Sequence, residues 1–282
     1  MKNKKFYFQL MAAAMTLAMG SMLTACGDDD DDNSAGGGST TTVTVNPSAV
    51  FTAGLPKVYD EGTITTNAQG LVTAISKSGT TVTFEYADAL TRATAPDVVV
   101  KIVYGKDEYM TMNLTLGANG FVSHCDETSY EHGEMETATW DFSYNADGQL
   151  VRMVRSEGGY ETTTITYKDG DITEVKQVSQ EDPEDGFTAK ISYTDGNVKT
   201  PIDNKGCVML FDEEFEIDMD EMGYAYVAGL LGKATKHLPV GYKTTYVYDG
   251  STDSGSYGWV LNGQGLPTAF ILDGHEECTF AW

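Results

Sequence analysis

Positive charge is scarce in this chain. Lys and Arg number 18 against 42 Asp and Glu, a formal net charge of −24 over 282 residues. A field of that sign repels phosphate backbones and anionic lipid head groups, so nucleic acid is set aside as a partner. Histidine is scarce too: His124, His132, His237 and His275 are the full set. His124 and Cys125 with His132 and Glu134, or His275 with Glu276, Glu277 and Cys278, can be written as metal ligands. Neither group has the spacing of a zinc site. A nucleophile elbow, a phosphate loop, a dinucleotide fingerprint and a zinc-protease helix motif are all missing, so no catalytic residues and no cofactor are assigned. Beyond Cys26 there are three cysteines, Cys125, Cys207 and Cys278. They admit one bridge in any of three pairings, or three unpaired buried thiols.

Long apolar runs are limited to Phe6–Met22, behind Lys2, Lys4 and Lys5. The run is too short and wrongly flanked to span a membrane. A charged head, an apolar core and small residues before a cleavage point describe a secretory signal. The run ends in Leu23-Thr24-Ala25-Cys26, which resembles the lipobox of bacterial lipoproteins and implies acylation of Cys26 with cleavage before it. Asp28 to Asp32 and a Gly/Ser stretch follow, a self-repelling flexible tether. The acidic run resembles the export signal by which Bacteroidetes lipoproteins reach the cell surface. The expected layout is a signal peptide over 1–25, a lipidated tether over 26–45 and a single β-rich domain over 46–282. The expected location is the outer membrane, lipid-anchored and exposed at the cell surface, with the membrane itself a partner through the anchor.

The rest of the chain alternates with period two between Asn/Asp/Gly turns. One unit recurs. Asn67-Ala68-Gln69-Gly70 leads into Leu71–Ile75, and the chain returns through Val82–Tyr86. Asn145-Ala146-Asp147-Gly148, Asp169-Gly170-Asp171, Asn119-Gly120 and Asn262-Gly263-Gln264-Gly265 open further copies. Returning strands carry a bulky residue two positions before an aromatic one: Phe84/Tyr86, Phe142/Tyr144, Ile165/Tyr167, Ile191/Tyr193, Tyr246/Tyr248 and Phe280/Trp282. Residues two apart share a strand face, so stacked hairpins join these pairs into one apolar surface with a polar reverse. The fold class expected is mainly β, a curled antiparallel meander, barrel-like or half-barrel. Tyr224–Leu238 breaks the period. Val227, Leu230, Leu231, Ala234 and Leu238 recur at helical spacing, with Asp218 or Asp220 available as N-cap and Pro239 beyond the end. Gly229 and Gly232 weaken that helix by about 1 kcal/mol each, so packing on the inner face of the sheet must hold it.

The hairpins resemble the tyrosine–aspartate repeats of bacterial surface shells and toxins. Together with the acidic tether, Ala228-Gly229-Leu230-Leu231-Gly232-Lys233 running into His237-Leu238-Pro239, and Gly265-Leu266-Pro267-Thr268, the chain resembles a Bacteroidetes lipoprotein family of unknown function with a porin-like fold. The resemblance covers roughly residues 60–282 and implies a barrel-like architecture without catalytic residues. Thr, Lys, Glu and Arg on the second strand face, in place of an apolar band, point to a domain in water.

The densest acid run is Asp212–Glu221. If extended, it sets Glu214, Glu216, Asp218 and Asp220 on one side, a candidate calcium site with oxygen ligands. A solvated loop leading into the positive end of a helix explains the same residues. Three function classes remain. The first is a binding module for a glycan, lipid or peptide. The second is a structural or adhesive surface protein, and the third a hydrolase using two carboxylates.

Overall fold

The computed structural model describes residues 44–87, 95–106, 108–208, 217 and 219–282. The signal peptide, Cys26 and the aspartate run lie outside the described residues, as do Glu214, Glu216 and Asp218.

Hairpins follow one another along β1 (Val58–Tyr59), β2 (Gly62–Thr66), β3 (Val72–Lys77), β4 (Thr80–Tyr86), β5 (Val98–Val103), β6 (Tyr109–Leu116), β7 (Val122–Glu131) and β8 (Glu134–Tyr144). β9 (Leu150–Arg155), one helical turn α1 (Glu157–Tyr160), β10 (Glu161–Lys168), β11 (Asp171–Val178) and β12 (Phe187–Ser192) continue the wall. An excursion then carries β13 (Ile202–Asp203), the helix α2 (Met222–Val227) and β14 (His237–Leu238). The wall resumes as β15 (Gly241–Tyr246), β16 (Thr252–Leu261), β17 (Pro267–Leu272) and β18 (His275–Ala281). β1 pairs with both β2 and β18, so 16 antiparallel strands close into a barrel, while β13 and β14 pair apart from it.

The recurring turns have a common chemistry. The Asn67 side-chain oxygen accepts from the Gln69 and Leu71 N–H groups, both at 3.0 Å. Asn145 and Asn262 do the same for their own turns at 2.9–3.1 Å. A glycine at positive φ closes each turn, and a register shift follows in the hairpin. The paired aromatics act at the same end. Tyr86 and Tyr144 donate their hydroxyls to the Val72 and Val122 carbonyls at 2.8 Å, and Trp282 donates its indole N–H to Pro267 O at 2.6 Å. Each accepting residue lies just beyond the last ladder pair of its hairpin. The aromatic thus buries a ring and satisfies an otherwise orphaned strand-end carbonyl. Three of the pairs depart: the Tyr193 hydroxyl meets Thr235 Oγ1 at 2.8 Å, the buried Tyr167 hydroxyl has no partner among the described residues, and Tyr246/Tyr248 lies at the opposite end with Tyr248 exposed.

Alternation is clearest on β5 and β6. Val98, Val100 and Ile102 on β5 and Met110, Met112 and Leu114 on β6 are buried, whereas Lys101, Thr111, Asn113 and Thr115 face out. A 16-strand wall encloses more space than its own side chains fill. Two segments occupy the rest. Residues 44–56 bring Val45, Val50 and Phe51 into the core, and the excursion brings Ile217, Met219, Met222, Ala225, Tyr226, Leu230 and Leu231. Phe51 and Tyr226 meet with ring centroids 5.5 Å apart.

The helix is shorter and earlier than its apolar spacing predicts. After Val227, the Leu230 N–H returns to Ala225 O at 3.0 Å and the Gly229 N–H to Tyr226 O at 2.7 Å, with Gly229 at φ +77°. This is a Schellman termination with glycine at the left-handed position, and it ends the helix. The chain then runs along the barrel end that carries the Asn/Gly turns, termed the base. Leu230 O accepts from the Val122 N–H, and the Lys233 and Lys236 N–H groups donate to Gly148 O and Gly170 O, each at 2.9 Å. Asp171 fastens the last step, accepting from the His237 backbone N–H at 2.8 Å and contacting the imidazole Nδ1 at 2.7 Å.

Candidate functional site

The opposite end of the barrel, termed the mouth, holds a half-open cavity of about 240 Å³. Tyr59 and Asp60 at the β1–β2 turn, Gly62 of β2, and Ile75 and Lys77 of β3 form one wall. Asp220, Glu221, Gly223, Tyr224, Tyr226 and Val227, at the start of α2, form the other. The excursion leaves the wall at the base, reaches the mouth at Asp220–Glu221 and returns, so the exposed Asp220 and the half-buried Glu221, Gly223 and Tyr224 lie among the strand ends.

Polar contacts fix this tip. Tyr104 donates its hydroxyl to the Glu221 carboxylate. Arg155 of β9 meets the Asp220 carboxylate and, at 2.5 Å, that of Glu157. Its guanidinium lies 4.8 Å from the Trp140 ring centroid, a cation–π contact. Across the cavity Lys77 and Asp60 pair at 2.6 Å. That hydrogen bond keeps the ammonium protonated beyond its ordinary range, against the pull of desolvation. Burial raises the pKa of the Tyr104 and Tyr224 hydroxyls, so both stay neutral donors.

Glu127 points inward from β7 and accepts from the Trp140 indole at 3.0 Å. Burial raises its pKa, while the Trp140 hydrogen bond and the Arg155 charge pull it down. A perturbed carboxyl near a cavity is one mark of acid–base chemistry. Glu127 does not line this cavity, and its neighbours Trp140 and Arg155 fill the space around it.

Of the four candidate calcium ligands, Asp220 is the one described, and it faces Arg155; a cation there has to displace that guanidinium. The proposed histidine clusters separate: His124 lies on the outer face against Asp141 at 2.8 Å, while Cys125 is buried inward. No disulfide joins Cys125, Cys207 and Cys278. Folding instead brings half-buried Glu108 to exposed Glu131 and His132 at the mouth rim, a trio drawn from two turns that sequence spacing does not connect. The cavity residues escaped the sequence reading for the same reason. Asp60, Lys77 and Tyr224 carry no motif: the first two meet across the β2–β3 hairpin, and Tyr224 reaches them on the excursion.

On the outer wall beside the mouth, Val103, Tyr109, Tyr130 and Met135 are successive cross-strand partners from β5 to β8. The two tyrosine rings stack at 5.3 Å, and Met135 is 69% exposed.

The family model for a domain of unknown function, DUF4595, with porin-like fold, matches residues 59–269. The chain belongs to this family. Two solved structures resemble this DUF4595 chain. A porin-like protein from Bacteroides uniformis is 19% identical, with 78% of this chain and 89% of that one covered at a TM-score of 0.54. A porin-like protein from Bacteroides vulgatus is 12% identical, with 78% and 91% covered at a TM-score of 0.54. At these identities the likeness concerns the fold. No curated protein matches the chain. The family resemblance implied a barrel, and the barrel closes; the family assigns no ligand.

Proposed function

We propose that this DUF4595 chain is a lipid-anchored outer-membrane lipoprotein, displayed at the cell surface, that binds a small polar ligand at its mouth. The observation that carries the binding reading is the cavity of about 240 Å³ walled by three tyrosines, three carboxylates and a lysine. Concave sites that combine ring faces with a few convergent polar groups are the usual form of ligand pockets. The filled barrel leaves little room for an acyl chain, which weighs against a lipid and for a glycan or peptide fragment. The outward Thr, Lys and Asn side chains favour a barrel standing in water, since a membrane barrel needs an apolar band there. Anchoring then falls to acylated Cys26, and surface display to the aspartate run.

The test fills the cavity. Gly223 lines the cavity and a Cβ placed there meets nothing within 4 Å, so Gly223→Leu has room at its root and adds bulk at the mouth. Calorimetry against monosaccharides, amino sugars and dipeptides is expected to detect binding to the wild-type chain that Gly223→Leu abolishes at unchanged melting temperature. Binding that survives the substitution would place the ligand elsewhere.

A second reading, an adhesive surface protein, draws on the row of exposed Val103, Tyr109 and Met135 with half-buried Tyr130. It is favoured over ligand binding if Tyr109→Ser with Met135→Ser lowers cell attachment while Gly223→Leu does not.

A further inference from the structure

We infer that the mouth cavity takes a small organic cation, its ammonium group set against Glu221 among Tyr59, Tyr224 and Tyr226. The inference rests on the proposed binding role of the mouth and names the chemistry of the ligand. Charge around the cavity carries it. Asp60 is neutralised by Lys77 at 2.6 Å, and Asp220 by Arg155. Arg155 is also held by Glu157 and lies over Trp140, so it does not turn toward the opening. The partner of Glu221 is a neutral phenol, Tyr104, held neutral by burial and by that same hydrogen bond. The cavity wall therefore carries one carboxylate with a hydrogen bond but no compensating cation among these contacts.

A charge-assisted hydrogen bond to an ammonium group satisfies that carboxylate better than water does in a partly enclosed site. The three tyrosines lining the same space add ring faces, which attract cations. The formal charge of −24 steers cations toward the chain and repels anions. A neutral sugar gains from the rings and hydroxyls but leaves the Glu221 charge uncompensated. An anionic sugar meets the uncompensated Glu221 charge on the cavity wall.

Three probes of one shape separate these cases: glucosamine, glucose and glucuronate, titrated calorimetrically into the mature chain at a pH where glucosamine is protonated. The expected order is glucosamine over glucose by about tenfold, with glucuronate weakest. Glu221→Gln retains a hydrogen-bond acceptor for Tyr104 and is expected to erase the preference for glucosamine. Tyr224→Ala is expected to weaken glucosamine and glucose alike, and Met135→Ser on the outer wall to change neither. If glucose binds as tightly as glucosamine, and Tyr224→Ala weakens both, the cation assignment fails while the mouth remains a binding site. If no probe binds in a way that Tyr224→Ala or Gly223→Leu alters, the cation assignment and the mouth-binding role fall together.

Discussion

Glu127 is the most exacting residue of the interior. It is 7% exposed, and its carboxyl holds its proton to higher pH than an ordinary glutamate because burial penalises the charge. In the unfolded chain it titrates near 4.5. A raised folded pKa means the folded state binds the proton more tightly. Its contribution to stability is then fully present below pH 4.5 and is lost as pH rises through the folded value. Glu127→Gln retains an acceptor for the Trp140 indole and carries no charge. It is expected to melt above the wild type at about pH 7, with the gap closing as pH falls from the folded value toward 4.5. Melting curves across that range check the sign; a gap that does not change with pH contradicts it.

At the scale of elements, the excursion and the recurring hairpins behave differently. Leu231 has no exposed surface, yet it lies beyond the helix, on the irregular return along the base. Leu231→Ala is expected to cost about 2–5 kcal/mol by denaturant unfolding, because its surroundings are closed on all sides. A loss under about 1 kcal/mol would mean the return segment is not part of the core. The hairpins were legible in the sequence because their signals are local. Asn and Gly at fixed offsets set the turns, and period two sets the inward face, so Phe84, Phe142, Ile165 and Phe280 are all buried as read. The helix was half legible. Val227, Leu230, Leu231 and Leu238 are all buried, but helical spacing cannot tell a helix from an irregular segment enclosed on all sides. Gly229, weighed as a helix-weakening residue, is the helix terminator. The cavity was not legible, since its two walls lie more than 140 positions apart and meet because the excursion enters the barrel.

At the scale of the molecule, the barrel reverses the polarity of a membrane barrel, with apolar side chains inward and Thr, Lys and acidic groups outward. The N-terminal strap and the excursion then do what lumen water does in an open porin of this strand number: they occupy the interior. A Cys26→Ser chain is therefore expected to leave the membrane fraction or stay unprocessed. The same domain begun after Cys26 is expected to remain monodisperse without detergent. Retention of the processed variant on membranes in high salt would contradict the lipid-anchor proposal. A requirement for detergent by the shortened domain would contradict a water-facing barrel.

The central claim is that residues 219–238 are a plug built into the barrel core. Hydrogen–deuterium exchange on the mature chain tests it directly. Backbone amides of α2, together with those of Leu230, Lys233 and Lys236 that the fold ties into the interior or the base, are expected to exchange as slowly as those of β5, β6 and β7, and to open with them. Fast exchange of 219–238 while the strands stay protected would contradict the account, leaving an open barrel with a loosely held segment inside it.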